Sequence, residues 1–211
     1  MKALLVSGGE VLDFEILKKL GENANYILCA DKGTDYCLKI GLVPDIIVGD
    51  LDSISEDSLK IVEKKKIPIK KFPTRKNSTD TELAVDYLIE KNFKDITIFG
   101  AIGSRMDHTL ANIFLLKKLK DEKVVGRIID KYNTIYLVDT ELTIYNKNDY
   151  YLSIIPITDN GVLISLEGFE YNLEKTRISF GSTLGISNSI QKSKGHIRVY
   201  EGMCLVCLSK D

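Results

Sequence analysis

The pattern of apolar residues changes near residue 130, and this change constrains the fold more than any other feature of the chain. Up to about residue 129, short β-branched runs such as Tyr26–Ala30 and Ile46–Val48 alternate with helical patterns. Such alternation predicts βαβ units built around a mostly parallel sheet. From about residue 130 the helical patterns give way to short apolar runs separated by turn residues. This second part predicts an antiparallel all-β fold.

We therefore predict two domains that differ in architecture. Residues 1–129 are predicted to form a Rossmann-like, mostly parallel α/β/α domain, and residues 130–211 an antiparallel β-sandwich or barrel. Among the predicted helices of the first domain is Asp107–Lys120, which has an amphipathic pattern. The apolar side chains that we expect on its buried stripe are Leu110, Ile113 and Phe114.

The predicted strands of the second domain are short and are separated by turn sequences. Asp159-Asn160-Gly161 and Glu201-Gly202 have the chemistry that closes antiparallel hairpins. One predicted strand is Arg177–Phe180, and the last one contains Cys204 and Cys207 in a Cys-x-x-Cys spacing. Residues three apart on a strand face opposite sides, so we interpret these two cysteines as structural residues and not as metal ligands.

The composition argues against several classes of function. Hydrophobic residues make up 44% of the 211 residues and charged residues 28%, which is typical of a folded globular protein. The net charge of −1 gives no support for a nucleic-acid partner or an anionic membrane surface. We find neither a signal-peptide core nor an apolar stretch long enough to span a bilayer. We therefore expect a cytoplasmic protein with reduced cysteines.

Asp50 and Asp52 are the strongest candidates for chemistry, because they follow the predicted strand Ile46–Val48 and a glycine. Residues two apart on an extended chain point the same way, and open α/β sheets bind ligands at the C-terminal ends of their strands. Two carboxylates at that edge form a hard-oxygen site suited to Mg²⁺ carrying substrate phosphates. The alternative for an isolated Asp-x-Asp is a solvated turn that leads into the next helix.

Asp31 and Asp80 bring further carboxylates to the same edge. Asp31 ends a predicted strand, whereas Asp80 begins a predicted helix. Thr79-x-x-Glu82 is a capping box, which by itself only starts that helix. A helix N-terminus also binds phosphate, however, so Asp80 beside Lys76 is placed to share a metal ion with the paired carboxylates.

The loop before the helix Asp107–Lys120 contains one residue that helix capping does not explain. Gly100 and Gly103 have no side chains to obstruct this loop, so Arg105 is free to direct its planar guanidinium onto phosphate oxygens. Asp107 has two interpretations, since it either caps the helix or contributes to the site. His108 is the weakest candidate, because a histidine at a helix start commonly faces solvent.

In this order, the motifs resemble those of the thiamin pyrophosphokinase family, whose members move a pyrophosphate from ATP to thiamin. The resemblance covers nearly the full chain and includes two tail segments, 168–173 and 185–188. It implies a first domain that binds ATP and Mg²⁺, a β domain that completes the thiamin pocket, and a homodimer with composite sites. The alternatives are a pyrophosphokinase for another alcohol, such as a hydroxymethylpterin, and a non-catalytic nucleotide or thiamin sensor.

The resemblance also implies a role for each motif residue. The implied metal ligands are Asp31, Asp50, Asp52 and Asp80. The implied nucleotide-binding residues are Asp31, Lys76, Thr79 and Arg105. The implied thiamin-binding residues are Asp107, Tyr171, Ser187 and Asn188. The implied catalytic residues are Asp50, Asp52, Asp80, Arg105 and Asp107. Pyrophosphate transfer needs positioning and charge neutralisation more than covalent help, and these side chains suit that task.

Overall fold

The structure is a computed structural model that describes residues 1–72 and 78–211. The chain folds as two compact units, Met1–Lys131 and Tyr132–Asp211. The predicted division between 129 and 130 lies close to this boundary. Across the described ranges, no helix is both long enough and apolar enough to cross a bilayer.

Strands and helices alternate along the described part of the first unit. In chain order the elements are β1 (Lys2–Val6), α1 (Phe14–Glu22), β2 (Tyr26–Ala30), α2 (Gly33–Lys39), β3 (Ile46–Gly49), α3 (Glu56–Lys65), β4 (Ile69–Lys71), α4 (Asp80–Glu90), β5 (Asp95–Phe99), α5 (Met106–Asp121) and β6 (Val125–Ile129). These strands follow one another in the order β4-β3-β2-β1-β5-β6, and neighbouring strands are parallel. The prediction of an α/β unit is confirmed.

Both faces of this parallel sheet are buried. Leu4 and Leu5 are consecutive in β1 and therefore point to opposite faces, yet they are only 1% and 0% exposed. Burial on both faces is typical of parallel sheets, which are covered by their crossover helices. Each such side chain contributes about 1.5–3 kcal/mol to stability, so the strands form a rigid base for the loops at their C-terminal ends.

Helix α5 buries a different face from the predicted one. Leu110 is 46% exposed and Phe114 is 53% exposed, so the prediction that they line the buried stripe was wrong. The residues that α5 buries are Thr109, Asn112, Leu115, Leu116 and Leu119. The helix carries two apolar stripes at helical spacing, and periodicity alone does not tell which of them faces the sheet.

The second unit consists of antiparallel strands. They are β7 (Asn133–Val138), β8 (Glu141–Tyr145), β9 (Tyr151–Pro156), β10 (Val162–Glu167), β11 (Leu173–Ile178), β12 (Lys194–Glu201) and β13 (Cys204–Ser209). One set pairs in the order β7-β13-β9 and the other in the order β11-β10-β12-β8. Buried side chains from both sets form one hydrophobic cluster. The prediction of an antiparallel β unit is confirmed.

The two glycine turns predicted for the second unit are formed, but neither closes a hairpin. Each joins strands of different sets, β9 to β10 and β12 to β13, which do not pair with each other. Gly161 and Gly202 have φ angles of 70° and 79°, the left-handed backbone that glycine adopts without strain. The predicted strand Arg177–Phe180 was misplaced, since β11 ends at Ile178. Burial raises the pKa of the Cys204 thiol to about 12 and that of the Cys207 thiol to about 11.

Candidate active site

A cleft of about 630 Å³ opens at the C-terminal edge of the parallel sheet in the first unit. Its walls come from the loops that follow β1, β2, β3 and β5, from the first turn of α4, from the first two turns of α5 and from Tyr36 of α2. The volume falls within the range of small-molecule sites, and open α/β sheets bind their ligands at this edge. The residues from the sequence analysis that line the cleft are Asp31, Thr79, Asp80, Arg105 and His108.

The side chains of Asp31 and Asp80 are hydrogen-bonded to each other in this cleft. Burial, the bond to Asp80 and the nearby negative charges raise the pKa of Asp31 from 3.8 to about 7. A hydrogen bond of 3.3 Å from the Leu51 N–H to Asp31 Oδ1 acts in the opposite direction. Two acids held in contact in a partly buried cleft favour the binding of positive charge, and such perturbed groups are typical of functional sites.

The backbone around these acids is held in uncommon conformations. Asp31 has a φ angle of 42° and Leu51 one of 72°, which place two non-glycine residues in the left-handed region. Gly49 has a φ angle of 142°, and a Cβ atom there would overlap the Asp31 carboxylate. Gly49 therefore lets the Asp31 side chain lie directly against the end of β3. Backbone strain of this kind concentrates at functional sites.

Asp50 and Asp52 lie on the loop that follows β3. The Asp52 N–H donates a hydrogen bond of 3.3 Å to Asp50 Oδ1, which is the local turn that such sequences form. Asp50 is half-buried and its charge contributes to the raised pKa of Asp31, whereas Asp52 is exposed. Within residues 1–72 and 78–211, no three His, Cys, Asp or Glu side chains converge into a formed metal cage.

Helix α4 begins at the cleft as the capping box predicted, although only half of that box is formed. Thr79 Oγ1 accepts a hydrogen bond of 3.2 Å from the Glu82 N–H, and Asp80 is the first helical residue. The Glu82 side chain does not return to the helix start and instead accepts a bond of 3.1 Å from Lys118 Nζ. Lys76, the predicted cation beside this helix start, lies outside the described residues.

Arg105, which lines the cleft, forms a two-pronged ion pair with Asp107. Arg105 Nε donates to Asp107 Oδ1 at 3.2 Å, and Nη2 donates to Oδ2 at 2.7 Å. The bonds from the guanidinium lower the pKa of the Asp107 carboxyl to about 2. Both side chains are exposed. The guanidinium thus has the geometry that we predicted for phosphate oxygens, but in this structure a carboxylate occupies it.

The cleft also contains buried polar residues that the sequence analysis did not single out. Ser7 Oγ and Thr81 Oγ1 are 2.6 Å apart and join the loop after β1 to the start of α4. Thr109 and Asn112 line the cleft from α5 and are 7% and 8% exposed. Their signal is in the sequence, since buried polar side chains need partners and these two are one helical turn apart on a leucine-rich face.

Of the four thiamin candidates, Asp107 lies in the first unit, whereas Tyr171, Ser187 and Asn188 lie together in the second and differ in exposure. Tyr171 is 64% exposed, and Ser187 is exposed and has a φ angle of 59°. Asn188 is only 6% exposed, and its amide is bonded to the backbone of Tyr171: Oδ1 accepts from the N–H at 3.1 Å, and Nδ2 donates to the carbonyl at 2.8 Å. The structure therefore gives Asn188 a structural role in holding Tyr171, and its direct contact with a substrate stays a prediction.

Comparison with known proteins shows that both units match domains of one protein family. The sequence profile of the thiamin pyrophosphokinase catalytic domain matches residues 17–126. The profile of the thiamin pyrophosphokinase vitamin B1 binding domain matches residues 139–204. A curated relative, the thiamine pyrophosphokinase of Bacillus subtilis (strain 168), is 37% identical over 186 residues, which is 86% of this chain and 86% of that protein.

Solved structures agree with the sequence relatives. The crystal structure of thiamine pyrophosphokinase from Bacillus subtilis superposes with a TM-score of 0.90 and 32% identity, and all of each chain is covered. That of thiamin pyrophosphokinase from Geobacillus thermodenitrificans superposes with a TM-score of 0.87 and 30% identity, over 100% of this chain and 98% of that one. The whole length of the chain is therefore similar in fold to these enzymes.

Proposed function

This chain belongs to the thiamin pyrophosphokinase family, and we propose that the cleft of its first unit is where ATP is bound and cleaved. The activity that follows from family membership is the transfer of pyrophosphate from ATP to the hydroxyethyl group of thiamin, which yields thiamin diphosphate and AMP. The observation that carries the proposal for the cleft is the contact between Asp31 and Asp80. Matches to both family profiles disfavour the alternatives of another acceptor alcohol and of a silent sensor.

The acids of the cleft fit a hard divalent cation such as Mg²⁺. Asp31 and Asp80 are in contact, and the charge of Asp50 acts on the same carboxyl group, so a cation would relieve their mutual repulsion. Carboxylate oxygens are the protein ligands that Mg²⁺ prefers, usually together with substrate phosphates and water. We propose that the residues that hold the ion are Asp31, Asp50, Asp52 and Asp80. When bound, Mg²⁺ would neutralise charge on the phosphates.

The cationic and helix-start groups are proposed to position the nucleotide. The N–H groups at the start of α4, together with Thr79 and Lys76, would contact phosphate oxygens. Arg105 would exchange the carboxylate of Asp107 for phosphate, because both present two oxygens to the same guanidinium edge. This exchange would leave Asp107 available to the acceptor alcohol. Transfer at the β-phosphorus then depends on orientation and charge neutralisation, as in other phosphoryl transfers.

The thiamin site is proposed to include Tyr171, Ser187 and Asn188 of the second unit. The exposed ring of Tyr171 supplies a surface on which a heteroaromatic or cationic ring can stack, worth about 0.5–2 kcal/mol. Following the family resemblance, we propose a homodimer in which the second unit of one chain completes the site of its partner. No membrane or nucleic-acid partner is proposed.

The finer description of the fold and of the location is also a proposal. The parallel strand order and the burial of both sheet faces support a Rossmann-like class for the first unit. The shared hydrophobic cluster of the two strand sets supports a sandwich for the second unit. The free, largely buried cysteines support a reducing, cytoplasmic location.

A single assay tests the proposed function. AMP release from ATP and Mg²⁺ should depend on thiamin and should yield one thiamin diphosphate for each AMP. When a hydroxymethylpterin replaces thiamin, the release of AMP from ATP should not exceed the background. Binding of ATP and thiamin without any turnover would instead support the sensor. Turnover with the pterin but not with thiamin would support the other pyrophosphokinase.

A further inference from the structure

The loop that joins β5 to α5 forms one wall of the cleft, and on one side it is bonded to the loop after β1. The Gly9 N–H donates to the Gly100 carbonyl at 2.7 Å, and the Glu10 N–H donates to the Ile102 carbonyl at 3.0 Å. Gly9 permits this close approach, since a Cβ atom there would overlap the Gly100 carbonyl. These bonds fix alternate carbonyls of the loop and leave those of residues 101 and 103 for other partners.

Two side chains of α5 bind the remaining carbonyls. Asn112 Nδ2 donates to the Ala101 carbonyl at 2.8 Å. Thr109 Oγ1 lies 3.2 Å from both the carbonyl oxygen and the N–H nitrogen of Gly103, as donor to the first and acceptor from the second. Four consecutive carbonyls, those of residues 100–103, are therefore bound alternately by the loop after β1 and by α5.

The position of these two side chains in α5 is unusual for a buried helix face. Thr109 and Asn112 are 7% and 8% exposed, while the rest of the buried face consists of Leu115, Leu116 and Leu119. Polar groups at such positions cost free energy unless they are hydrogen-bonded, so apolar residues would serve the packing better. The bonds to the loop explain why polar side chains are tolerated there.

We propose that Thr109 and Asn112 are positioning residues that hold the loop 101–105 and, through it, the guanidinium of Arg105. Arg105 follows Gly103 by two residues and has an exposed side chain, so the anchored backbone defines where that side chain starts. This inference rests on the proposed function, because the loop matters to turnover only if the cleft binds the nucleotide. Displacement of a positioning group by about 1 Å can lower turnover about 100-fold.

Four variants separate loss of the hydrogen bonds from loss of packing. Thr109→Val removes the hydroxyl and keeps the branched shape, whereas Thr109→Ser keeps the hydroxyl. Asn112→Asp replaces the amide donor by a carboxylate that repels the Ala101 carbonyl. Thr97→Val is the matched control, since Thr97 is 6% exposed in β5 of the same unit and is not among the described residues that line the cleft.

The first readout is the dependence of AMP release on ATP concentration, together with thermal unfolding of each variant. We expect Thr109→Val and Asn112→Asp to lose about tenfold or more in kcat/KM for ATP while remaining folded at the assay temperature. Thr109→Ser should retain most of the wild-type value, and Thr97→Val should stay within about twofold. If Thr109→Val and Asn112→Asp are both folded and their kcat/KM for ATP also stays within about twofold of wild type, the proposal is wrong.

A double-mutant cycle with Arg105→Ala tests whether the two residues act through that guanidinium. Once the guanidinium is absent, Thr109→Val should change kcat/KM for ATP by less than about twofold, although it costs about tenfold in the wild-type background. A merely structural role for Thr109 would instead give the same loss in both backgrounds. Such additive losses would contradict positioning through Arg105.

Amide hydrogen exchange tests, without relying on turnover, whether Thr109 and Asn112 hold the loop 101–105. We call this set of hydrogen bonds the clamp. The Gly103 N–H is bonded to Thr109, so its exchange should accelerate about tenfold or more in Thr109→Val and remain unchanged in Thr97→Val. If exchange accelerates but the wild-type protein releases no AMP, the clamp stands and the proposed function fails. If the wild-type protein is active but exchange at Gly103 is unchanged, the clamp fails and the proposed function stands.

Discussion

At the scale of single residues, the contact between Asp31 and Asp80 lowers the stability of the folded protein near neutral pH but gathers two acids for the proposed cation. Burial and the neighbouring acid raise the pKa of Asp31 from 3.8 to about 7, so its protonated form is favoured in the folded protein. The resulting contribution to stability is fully present below pH 3.8 and is lost as the pH rises through about 7. Near neutral pH the pair therefore costs stability, as acids gathered for a cation should.

We predict that Asp80→Asn lowers turnover without lowering the melting temperature at pH 7–8. The amide removes a like charge from Asp31 but also removes a proposed metal ligand, whose loss should cost several kcal/mol of transition-state stabilisation, or about 100-fold or more in kcat. The control is Asp86→Asn on the same helix, where the carboxylate pairs with Lys118 at 2.6 Å. The control should keep turnover within about twofold. An Asp80→Asn protein that melts early yet keeps its kcat would show that this acid is structural.

Arg105→Lys is predicted to be damaging although it keeps the charge. Arg105 uses two nitrogens to hold both oxygens of Asp107, and an ammonium group cannot present this planar pair of donors to a phosphate. We expect kcat to fall by a larger factor than the KM for ATP rises. Arg127→Lys is the control, because Arg127 pairs with Asp95 at 2.6 Å and has no place in the proposed site. Unchanged kinetics of Arg105→Lys would make Arg105 an ordinary surface residue.

At the scale of elements, a single buried amide binds both backbone groups of Tyr171. Asn188 bonds to both the N–H and the carbonyl of Tyr171, and its backbone pairs with Leu152 of β9 at 2.7 and 2.9 Å. One side chain thereby links an exposed aromatic residue to a strand of the second unit. This arrangement makes different predictions for Asn188 and for Tyr171.

Asn188→Asp should destabilise the protein, whereas Tyr171→Ala should not. The carboxylate cannot donate to the Tyr171 carbonyl, and a buried group left without its partner costs about 1–3 kcal/mol in the free energy of unfolding. Removing the exposed tyrosine ring should change that free energy by about 0.5 kcal/mol or less. Both variants should raise the KM for thiamin. Urea denaturation measures the free energy of unfolding, and steady-state kinetics at varied thiamin concentrations measure the KM. Equal stability of the two variants would mean that the hydrogen bonds of the Asn188 amide contribute little to stability.

Element types were predictable from sequence to the extent that local chemistry decides them. The alternation of apolar runs, the helix start at Thr79 and the glycine turns at residues 161 and 202 all depend on neighbours in the chain. The buried face of α5 depends on which of two apolar stripes meets the sheet, and the prediction based on Leu110 and Phe114 was wrong. The bonds of Asn188 to Tyr171 required a tertiary partner that periodicity does not reveal.

At the scale of the whole molecule, the candidate site could be predicted where topology alone gathers residues. Parallel strands end at a common edge, so Asp31 and Asp80 were expected near each other and are in contact. The ion pair of Arg105 with Asp107 was not expected, because it depends on the conformation of one loop. The proposed ligand-binding residues are also divided between the two units, with Tyr171 in the second and the acids in the first.

The proposed homodimer predicts that two defective chains can complement each other. Asp50→Ala impairs the first unit and Tyr171→Ala the second, so a mixed dimer with composite sites holds one intact site and one doubly defective site. Random pairing makes half of the dimers mixed, so at thiamin concentrations well below the KM the refolded mixture should exceed the mean of the two separate variants by up to about a quarter of the wild-type activity. Each variant refolded alone is the control. If mixed dimers form, as shown with two affinity tags, yet activity does not return, the complete site lies within one chain.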